Sequence, residues 1–247
     1  MEFSPTGGTH SVLEGLMKTF TIDAYIDLTK QGDWGDFCFS EDDICFIGMP
    51  SYDGRAPEIA LTRLRQLQGG GARAVLVAVY GNRDFEDTLL EMKDTVLACG
   101  FRPVAAVSAV AEHSIMHQYA TGRPDRRDYQ MLRQFSEDIR ADLKKYPDKK
   151  DVAVPGNRPY REYKGVPLKP KAGKACISCG LCAAKCPVGA IPKEAPNTVD
   201  KEACISCMRC IQVCPSHARR VNPLMVRVAA LSLKKECKEP KQNKLYL

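Results

Sequence analysis

The sequence has 247 residues, of which 44% are hydrophobic, and it carries 36 Lys and Arg side chains against 30 Asp and Glu. This composition excludes a disordered chain and predicts one or two folded domains, since a domain averages about 100–200 residues. A bilayer span needs about 20 apolar residues, and runs such as residues 74–80 are far shorter, so no membrane span is predicted. The N-terminus lacks the basic and apolar regions of a secretory leader, and we expect a cytoplasmic protein.

Apolar runs of strand length alternate with helix-like segments along residues 1–150. Strands are predicted at residues 44–47, 74–79 and 104–110, and helices at residues 57–68, 84–99 and 125–146. Continuous apolar runs indicate strands buried on both faces, as in a parallel sheet. Strands that alternate with helices predict an α/β fold with a doubly wound parallel sheet.

Three loops of this region fall where an open α/β sheet binds ligands. The first, Ser4-Pro5-Thr6-Gly7-Gly8-Thr9, precedes a helix, and its hydroxyl and N–H groups can surround a phosphate. An ordinary helix cap is the alternative for such a turn. The other loops, residues 50–57 and 80–85, follow predicted strands at the edge formed by their carboxyl ends.

Residues 151–172 are basic and rich in Pro and Gly, which predicts a semi-extended linker. Residues 218–247 are predicted to form a C-terminal helix, at about 222–237, and a charged tail. Residues 1–150 hold 18 basic and 23 acidic side chains, a net charge of −5, whereas residues 151–247 hold 18 and 7, a net charge of +11. A basic half permits nucleic-acid binding, but anionic cofactors would neutralise it, and no nucleic-acid partner is expected.

Eight of the 12 cysteines lie in an internal repeat within residues 173–217. The first motif is Cys176-x-x-Cys179-x-x-Cys182-x-x-x-Cys186-Pro187, and the second is Cys204-x-x-Cys207-x-x-Cys210-x-x-x-Cys214-Pro215. Zinc motifs usually offer two close cysteines and then a long gap, so a pair of zinc sites is the weaker alternative. The spacing is typical of two 4Fe–4S clusters.

The repeat resembles the two-cluster bacterial ferredoxins, in which the fourth cysteine of each motif ligates the other cluster. The resemblance assigns Cys214 to the cluster of Cys176, Cys179 and Cys182. It assigns Cys186 to the cluster of Cys204, Cys207 and Cys210.

The Ser4–Thr9 loop resembles the phosphate loop of flavodoxins, S/T-x-T-G-x-T. As a whole the chain resembles the flavodoxin-like domains that are fused to a two-cluster ferredoxin in anaerobic bacteria. This resemblance implies FMN, with its ring between the second and third loops, stacked on Tyr52 or Tyr80 and with Arg55 or Arg83 near its negative charge. The predicted FMN residues are Ser4, Thr6, Gly7, Gly8, Thr9, Pro50, Ser51, Tyr52, Gly54, Arg55, Tyr80, Gly81, Asn82 and Arg83. Only three residues precede Ser4, so we expect either a true start upstream or an unusually short first strand.

These features predict an electron-transfer flavoprotein–ferredoxin that exchanges electrons with a soluble redox protein. The domains are expected at residues 1–150 for FMN and 173–217 for the clusters. Two alternatives stay open: a flavin-dependent reductase of a small organic substrate, and a redox sensor that binds nucleic acid. A substrate-sized pocket lined by His113 or Tyr80 would favour the reductase, and a solvent-open ring edge would favour the carrier.

Overall fold

Three parallel strands form the centre of the main sheet. The structure is a computed structural model, and it describes residues 1–32, 34 and 36–247. The strands are β1 (Ile44–Pro50), β2 (Arg73–Tyr80) and β3 (Arg102–Val110), which pair in that order. Their residues are almost all buried, as the continuous apolar runs predicted.

The N-terminal residues lie beside β1 and extend the sheet by a single bridge. Glu2 forms parallel bridges to Gly48 on one side and to Asp27 on the other. The Phe3 N–H donates to the Gly48 carbonyl at 2.9 Å, and the Leu28 N–H donates to the Glu2 carbonyl at 2.7 Å. The spatial order from this edge is therefore residues 26–28, residues 1–3, β1, β2 and β3.

Helices cover both faces of the sheet and form a separate core on each. On one face, α1 (Gly8–Leu16) and α4 (Arg126–Lys145) pack against the side chains of Phe46, Val75, Val77 and Val107. On the other face, α2 (Glu58–Leu64) and α3 (Thr88–Ala98) pack against Ile47, Met49, Leu76 and Ala78. Successive strand residues point to opposite faces, which explains why the runs are apolar throughout. The predicted α/β arrangement is confirmed.

The segment that follows α4 is held on the surface of α3. Asp87, which is 1% exposed, accepts hydrogen bonds from the N–H groups of Asn157 and Arg161, both at 2.7 Å. The Lys93 ammonium donates to the Val152 carbonyl at 2.8 Å, and Val152 is part of the core beneath. These contacts fix a stretch that the sequence predicted as a semi-extended linker.

The cysteine-rich region is built from short elements. The strands β4 (Lys171–Ala172) and β5 (Arg219–Arg220) form an antiparallel pair, and between them in the chain lie α5 (Leu181–Ala184) and α6 (Arg209–Gln212). A longer helix, α7 (Pro223–Leu233), follows. None of the helices among the described residues combines the length and apolar character that a membrane span requires.

The C-terminal tail returns to the main sheet, which the sequence did not predict. Strand β6 (Lys244–Tyr246) pairs antiparallel with β3 at residues 106–108. The buried Asn243 accepts from the Val110 N–H at 2.9 Å and donates to Asp128 at 3.0 Å. Asn82 holds the same tail, since its amide donates to the Cys237 and Glu239 carbonyls and accepts from the Lys241 N–H. The tail is therefore part of the α/β sheet.

We expect Asp87→Asn to loosen the segment at residues 151–172. Burial alone would raise the pKa of Asp87, but the N–H groups of Arg161 and Asn157 outweigh it and hold the pKa below its usual value. Losing this charge should lower the free energy of unfolding by about 1–3 kcal/mol at neutral pH. Urea unfolding measures the loss, and limited proteolysis locates it.

The effect depends on pH in one direction. A depressed carboxyl pKa stabilises the folded protein above the unfolded value, about 3.9, and this contribution disappears as the pH falls through the folded value. The difference between wild type and Asp87→Asn should therefore shrink below about pH 4. The exposed Asp23 provides the control, because Asp23→Asn should change neither stability nor cleavage. Equal effects of both variants would contradict the assignment.

Candidate metal centre and adjoining cavity

The two cysteine motifs share a backbone conformation as well as a spacing. Three matching pairs of positions have left-handed φ values: Ser178 and Ser206 (both +54°), Gly180 and Met208 (+73° and +61°), and Gly189 and His217 (+67° and +50°). Such values are uncommon outside glycine, so their recurrence at the same offset is a strong sign of a duplicated turn. In each copy the third cysteine lies on a short helix, Cys182 on α5 and Cys210 on α6.

The fourth cysteine of the first motif lies among the first three of the second. Cys186, Cys204, Cys207 and Cys210 line one small cavity of about 20 Å³. The pKa of Cys207 is raised to about 12, mainly by burial and in smaller part by the neighbouring thiols of Cys186, Cys210 and Cys204. Among the described residues, no three His, Cys, Asp or Glu side chains converge on a point for a single metal ion.

The fourth cysteine of the second motif is linked to the start of the first. The Cys214 sulfur accepts from the Ala218 N–H at 3.3 Å, and the Ala218 carbonyl accepts from the Gly173 N–H at 2.8 Å. The Gly173 carbonyl in turn accepts from the Cys176 N–H at 3.1 Å. Burial opposes ionisation of Cys214, but N–H groups such as those of Arg219 and Ala218 outweigh it and lower its pKa, which favours the thiolate that a metal binds.

A larger cavity of about 520 Å³ lies at the carboxyl ends of β1, β2 and β3. Sites for small molecules and cofactors commonly have this size. Ten predicted FMN residues line it: Ser4, Thr6, Gly8, Thr9, Pro50, Ser51, Tyr52, Tyr80, Gly81 and Arg83. The three loops that the sequence placed at this edge of the sheet are thus brought together.

The Ser4–Thr9 loop has unused hydrogen-bond donors, and Thr6, Gly8 and Thr9 among their residues line this cavity. The N–H groups of Thr6, Gly7, Gly8 and Thr9 make no hydrogen bond to the part of the chain that the structure describes. Gly7 has a φ of +91° and turns the chain into α1, and the Ser4 hydroxyl accepts from the His10 N–H at 2.9 Å. Free N–H groups at the N-terminus of a helix bind anions, which fits the terminal phosphate of FMN.

Four of the predicted FMN residues do not line the cavity: Gly7, Gly54, Arg55 and Asn82. Arg55 instead donates to both carboxylate oxygens of Glu91, at 2.9 and 2.6 Å, and stacks on Tyr160. Asn82 holds the C-terminal tail, and Gly54, with a φ of +79°, packs against Glu86. Arg55 therefore does not reach the cavity, contrary to the expectation that it lies near the flavin ring. Arg83, the other arginine expected there, lines the cavity and pairs with Glu86 at 2.8 Å.

The sequence missed several parts of the wall. The loop after β3, residues 112–116, lines it. The sequence analysis named only His113 from this loop, although the rule that placed the loops after β1 and β2 applies to it as well. Residues 165–168 and α7 cover the cavity with Ala229, Ser232 and Leu233. No local pattern in the sequence marks these covering residues as part of a site.

His113, in the loop after β3, is neutral at neutral pH. Burial lowers its pKa to about 4. Its Nδ1 lies 3.2 Å from the N–H groups of Ile115 and Met116, so it accepts from them and the proton is on Nε2. His113 therefore offers this wall a hydrogen-bond donor without a charge.

The second motif touches the loops of the large cavity directly. Arg209 donates to the Pro5 carbonyl and Gln212 to the Thr6 carbonyl, both at 3.0 Å. The first motif is also held to the α/β region, because Arg63 of α2 donates to the carbonyls of Leu28 and Pro187, each at 2.6 Å. Ser206, between Cys204 and Cys207, is itself in the wall of the large cavity.

Residues 175–218 match the family of 4Fe-4S dicluster domains. Neither the curated proteins nor the solved structures contain a match to the chain. The match covers both cysteine motifs and supports the binding of 4Fe–4S clusters rather than zinc. The cysteine-rich region therefore has an iron–sulfur electron-transfer role.

Proposed function

We propose that the chain is an electron carrier in which an FMN-binding, flavodoxin-like domain and two 4Fe–4S clusters exchange electrons. The order of the parallel strands supports the flavodoxin-like assignment. In chain order, residues 1–3, residues 26–28, β1, β2 and β3 are strands one to five, and their spatial order is 2-1-3-4-5. Flavodoxins have this order and bind FMN where it reverses, between the first and third strands.

The residues of the large cavity fit the parts of FMN. The Ser4–Thr9 loop supplies N–H and hydroxyl groups for a phosphate, and Tyr52 and Tyr80 supply aromatic surface for a ring. Arg83 supplies positive charge, and residues 165–168 with α7 exclude water from one side. FMN, when bound, exchanges one or two electrons, whereas each cluster passes one.

The cysteines define two cluster sites at different depths. We assign Cys186, Cys204, Cys207 and Cys210 to a proximal site, and Cys176, Cys179, Cys182 and Cys214 to a distal site. The observation that carries the proposal is Ser206, because the turn that carries two proximal ligands also forms the wall of the FMN cavity. The proximal site is thus next to the flavin, while the exposed Cys179 brings the distal site to the surface.

Rapid mixing with a low-potential one-electron donor tests the carrier. The clusters should be reduced first and the flavin afterwards, and the second phase should not depend on protein concentration. Absorbance separates the two phases, and iron, sulfide and flavin assays establish the cofactor content. A second phase that accelerates in proportion to concentration would mean that electrons pass between molecules, and absence of flavin would exclude the FMN assignment.

The cover over the cavity supports a second candidate, a flavin-dependent reductase. His113 and Tyr80 both line a cavity that is roofed by α7 and residues 165–168, as a substrate pocket would be. The reduced protein, mixed with small organic acceptors, would then yield reduced product detectable by mass spectrometry. His113→Ala should lower the yield while leaving flavin content unchanged. Reoxidation by redox proteins alone would favour the carrier.

A further inference from the structure

A groove of about 490 Å³ lies on the cysteine-rich region, beside the paired strands β4 and β5. Among the described residues that line it, four are cationic and none is acidic: Lys169, Lys171, Lys201 and Arg220. Lys169 donates to the Cys204 carbonyl. The other three are exposed and form no ion pair with the part of the chain that the structure describes. We call this surface the basic groove.

Two of these cations face each other at a cost to stability. Lys171 and Arg220 are direct partners in the antiparallel pairing of β4 with β5. Like charges directly opposite each other on paired strands destabilise the pair. An isolated two-residue ladder gains nothing from this arrangement, which points to a ligand that supplies the missing negative charge.

The basic groove adjoins the distal cluster site. Gly173 lines the groove, and its carbonyl accepts from the Cys176 N–H. Its own N–H donates to the Ala218 carbonyl, and the Ala218 N–H donates to the Cys214 sulfur. Two hydrogen bonds thus separate the groove from the sulfur of a proposed distal ligand, so a molecule in the groove lies close to that cluster. Through Lys169 and the Cys204 carbonyl the groove also contacts the backbone of a proposed proximal ligand.

An exposed apolar stripe on α7 borders the groove. Leu224, Val228 and Leu231 are 69%, 62% and 69% exposed, and Met225 joins them to the groove, which it lines. The helix packs through its other side, where Ala230 is buried and Val226 and Ala229 lie against the core of the cysteine-rich region. Protein interfaces combine such an apolar centre with a polar rim.

We propose that the basic groove and the α7 stripe dock the acidic surface of an electron-transfer protein, an inference that rests on the proposed function. One electron leaves the reduced centre of the partner and enters the distal cluster, and no bond or proton changes. Nucleic acids and anionic membranes also attract cations. A position two hydrogen bonds from a cluster ligand favours a redox protein, because electron transfer requires its centre to lie close to the cluster.

The test uses Lys171→Glu in the full chain and an acidic, reduced two-cluster ferredoxin as the probe. The variant replaces a repulsive cross-strand pair by an attractive one with Arg220, so it should melt no lower than the wild type. The second-order rate of cluster reduction should fall at least about tenfold at low salt, and its dependence on ionic strength should weaken. Lys150→Glu, an exposed change of equal charge outside the groove, should leave the rate within about twofold.

Iron content and reduction by dithionite separate this proposal from the proposed function. If Lys171→Glu keeps its iron and the ferredoxin rate is unchanged, or if Lys150→Glu slows it equally, the docking site is wrong. It is also wrong if Lys171→Glu loses binding to anionic vesicles or duplex DNA while the ferredoxin rate stays the same. Absence of iron from the wild-type protein would overturn the proposed function and this inference with it.

Discussion

Replacing Cys186 with alanine should remove the cluster held by the first three cysteines of the second motif. The cluster held by the first three cysteines of its own motif should remain. Cys186 shares a cavity with Cys204, Cys207 and Cys210, although 18 or more residues separate it from each of them. The anaerobically reconstituted variant should hold about four irons per chain in place of about eight. Iron analysis measures the loss, and electron paramagnetic resonance of the reduced protein identifies the remaining cluster.

The reciprocal variant is the matched control. Cys214→Ala should remove the cluster of Cys176, Cys179 and Cys182, so the two variants should retain different signals. Because the proximal site adjoins the cavity wall at Ser206, Cys186→Ala should also slow flavin reduction more than Cys214→Ala does. Identical spectra in both variants, or loss of each motif's own cluster, would contradict crossed ligation.

Thr9→Val should weaken FMN binding by about 1–3 kcal/mol, which is about 5- to 150-fold in the dissociation constant. Thr9 is 3% exposed, lines the cavity and follows the three other residues with free N–H groups. Its methyl group lies under Gly48, and valine preserves that contact while it removes the hydroxyl donor. Quenching of flavin fluorescence on titration of the flavin-free protein measures the change.

Thr9→Ser tests the same position in the opposite sense. Serine keeps the hydroxyl and loses the methyl group, so FMN affinity should stay close to that of the wild type while stability falls. If valine and serine weaken FMN equally, packing at Gly48 rather than hydrogen bonding to the phosphate sets the affinity. Retention of wild-type affinity by Thr9→Val would place the phosphate elsewhere.

Local patterns predicted the sheet and its ligand edge well. The runs at β1, β2 and β3 are apolar on both faces, and the loops after parallel strands must meet at one edge. The cysteine repeat was recognisable because its ligands are spaced by the cluster chemistry itself. For these features the determining contacts are close in sequence or imposed by a known periodicity.

Contacts between distant segments were not predictable in the same way. Arg55 leaves the cavity because Glu91, on α3, offers it two carboxylate oxygens. The cover by α7 depends on how the cysteine-rich region docks, through Arg209 and Gln212, onto the Ser4–Thr9 loop. Such partners are set by the assembled structure, so a loop sequence alone does not reveal which side chains face the ligand.

Strand β6 is synthesised after both cysteine motifs, so its pairing with β3 follows their synthesis. The edge of β3 that it covers stays unpaired until Lys244–Tyr246 emerges, after all eight clustered cysteines. An unpaired strand edge is a template for association with other chains, and domains begin to fold while they are made. A nascent chain therefore exposes this edge for as long as its set of cysteines is incomplete. Strand β6 pairs with β3 only on chains that already carry both cysteine motifs.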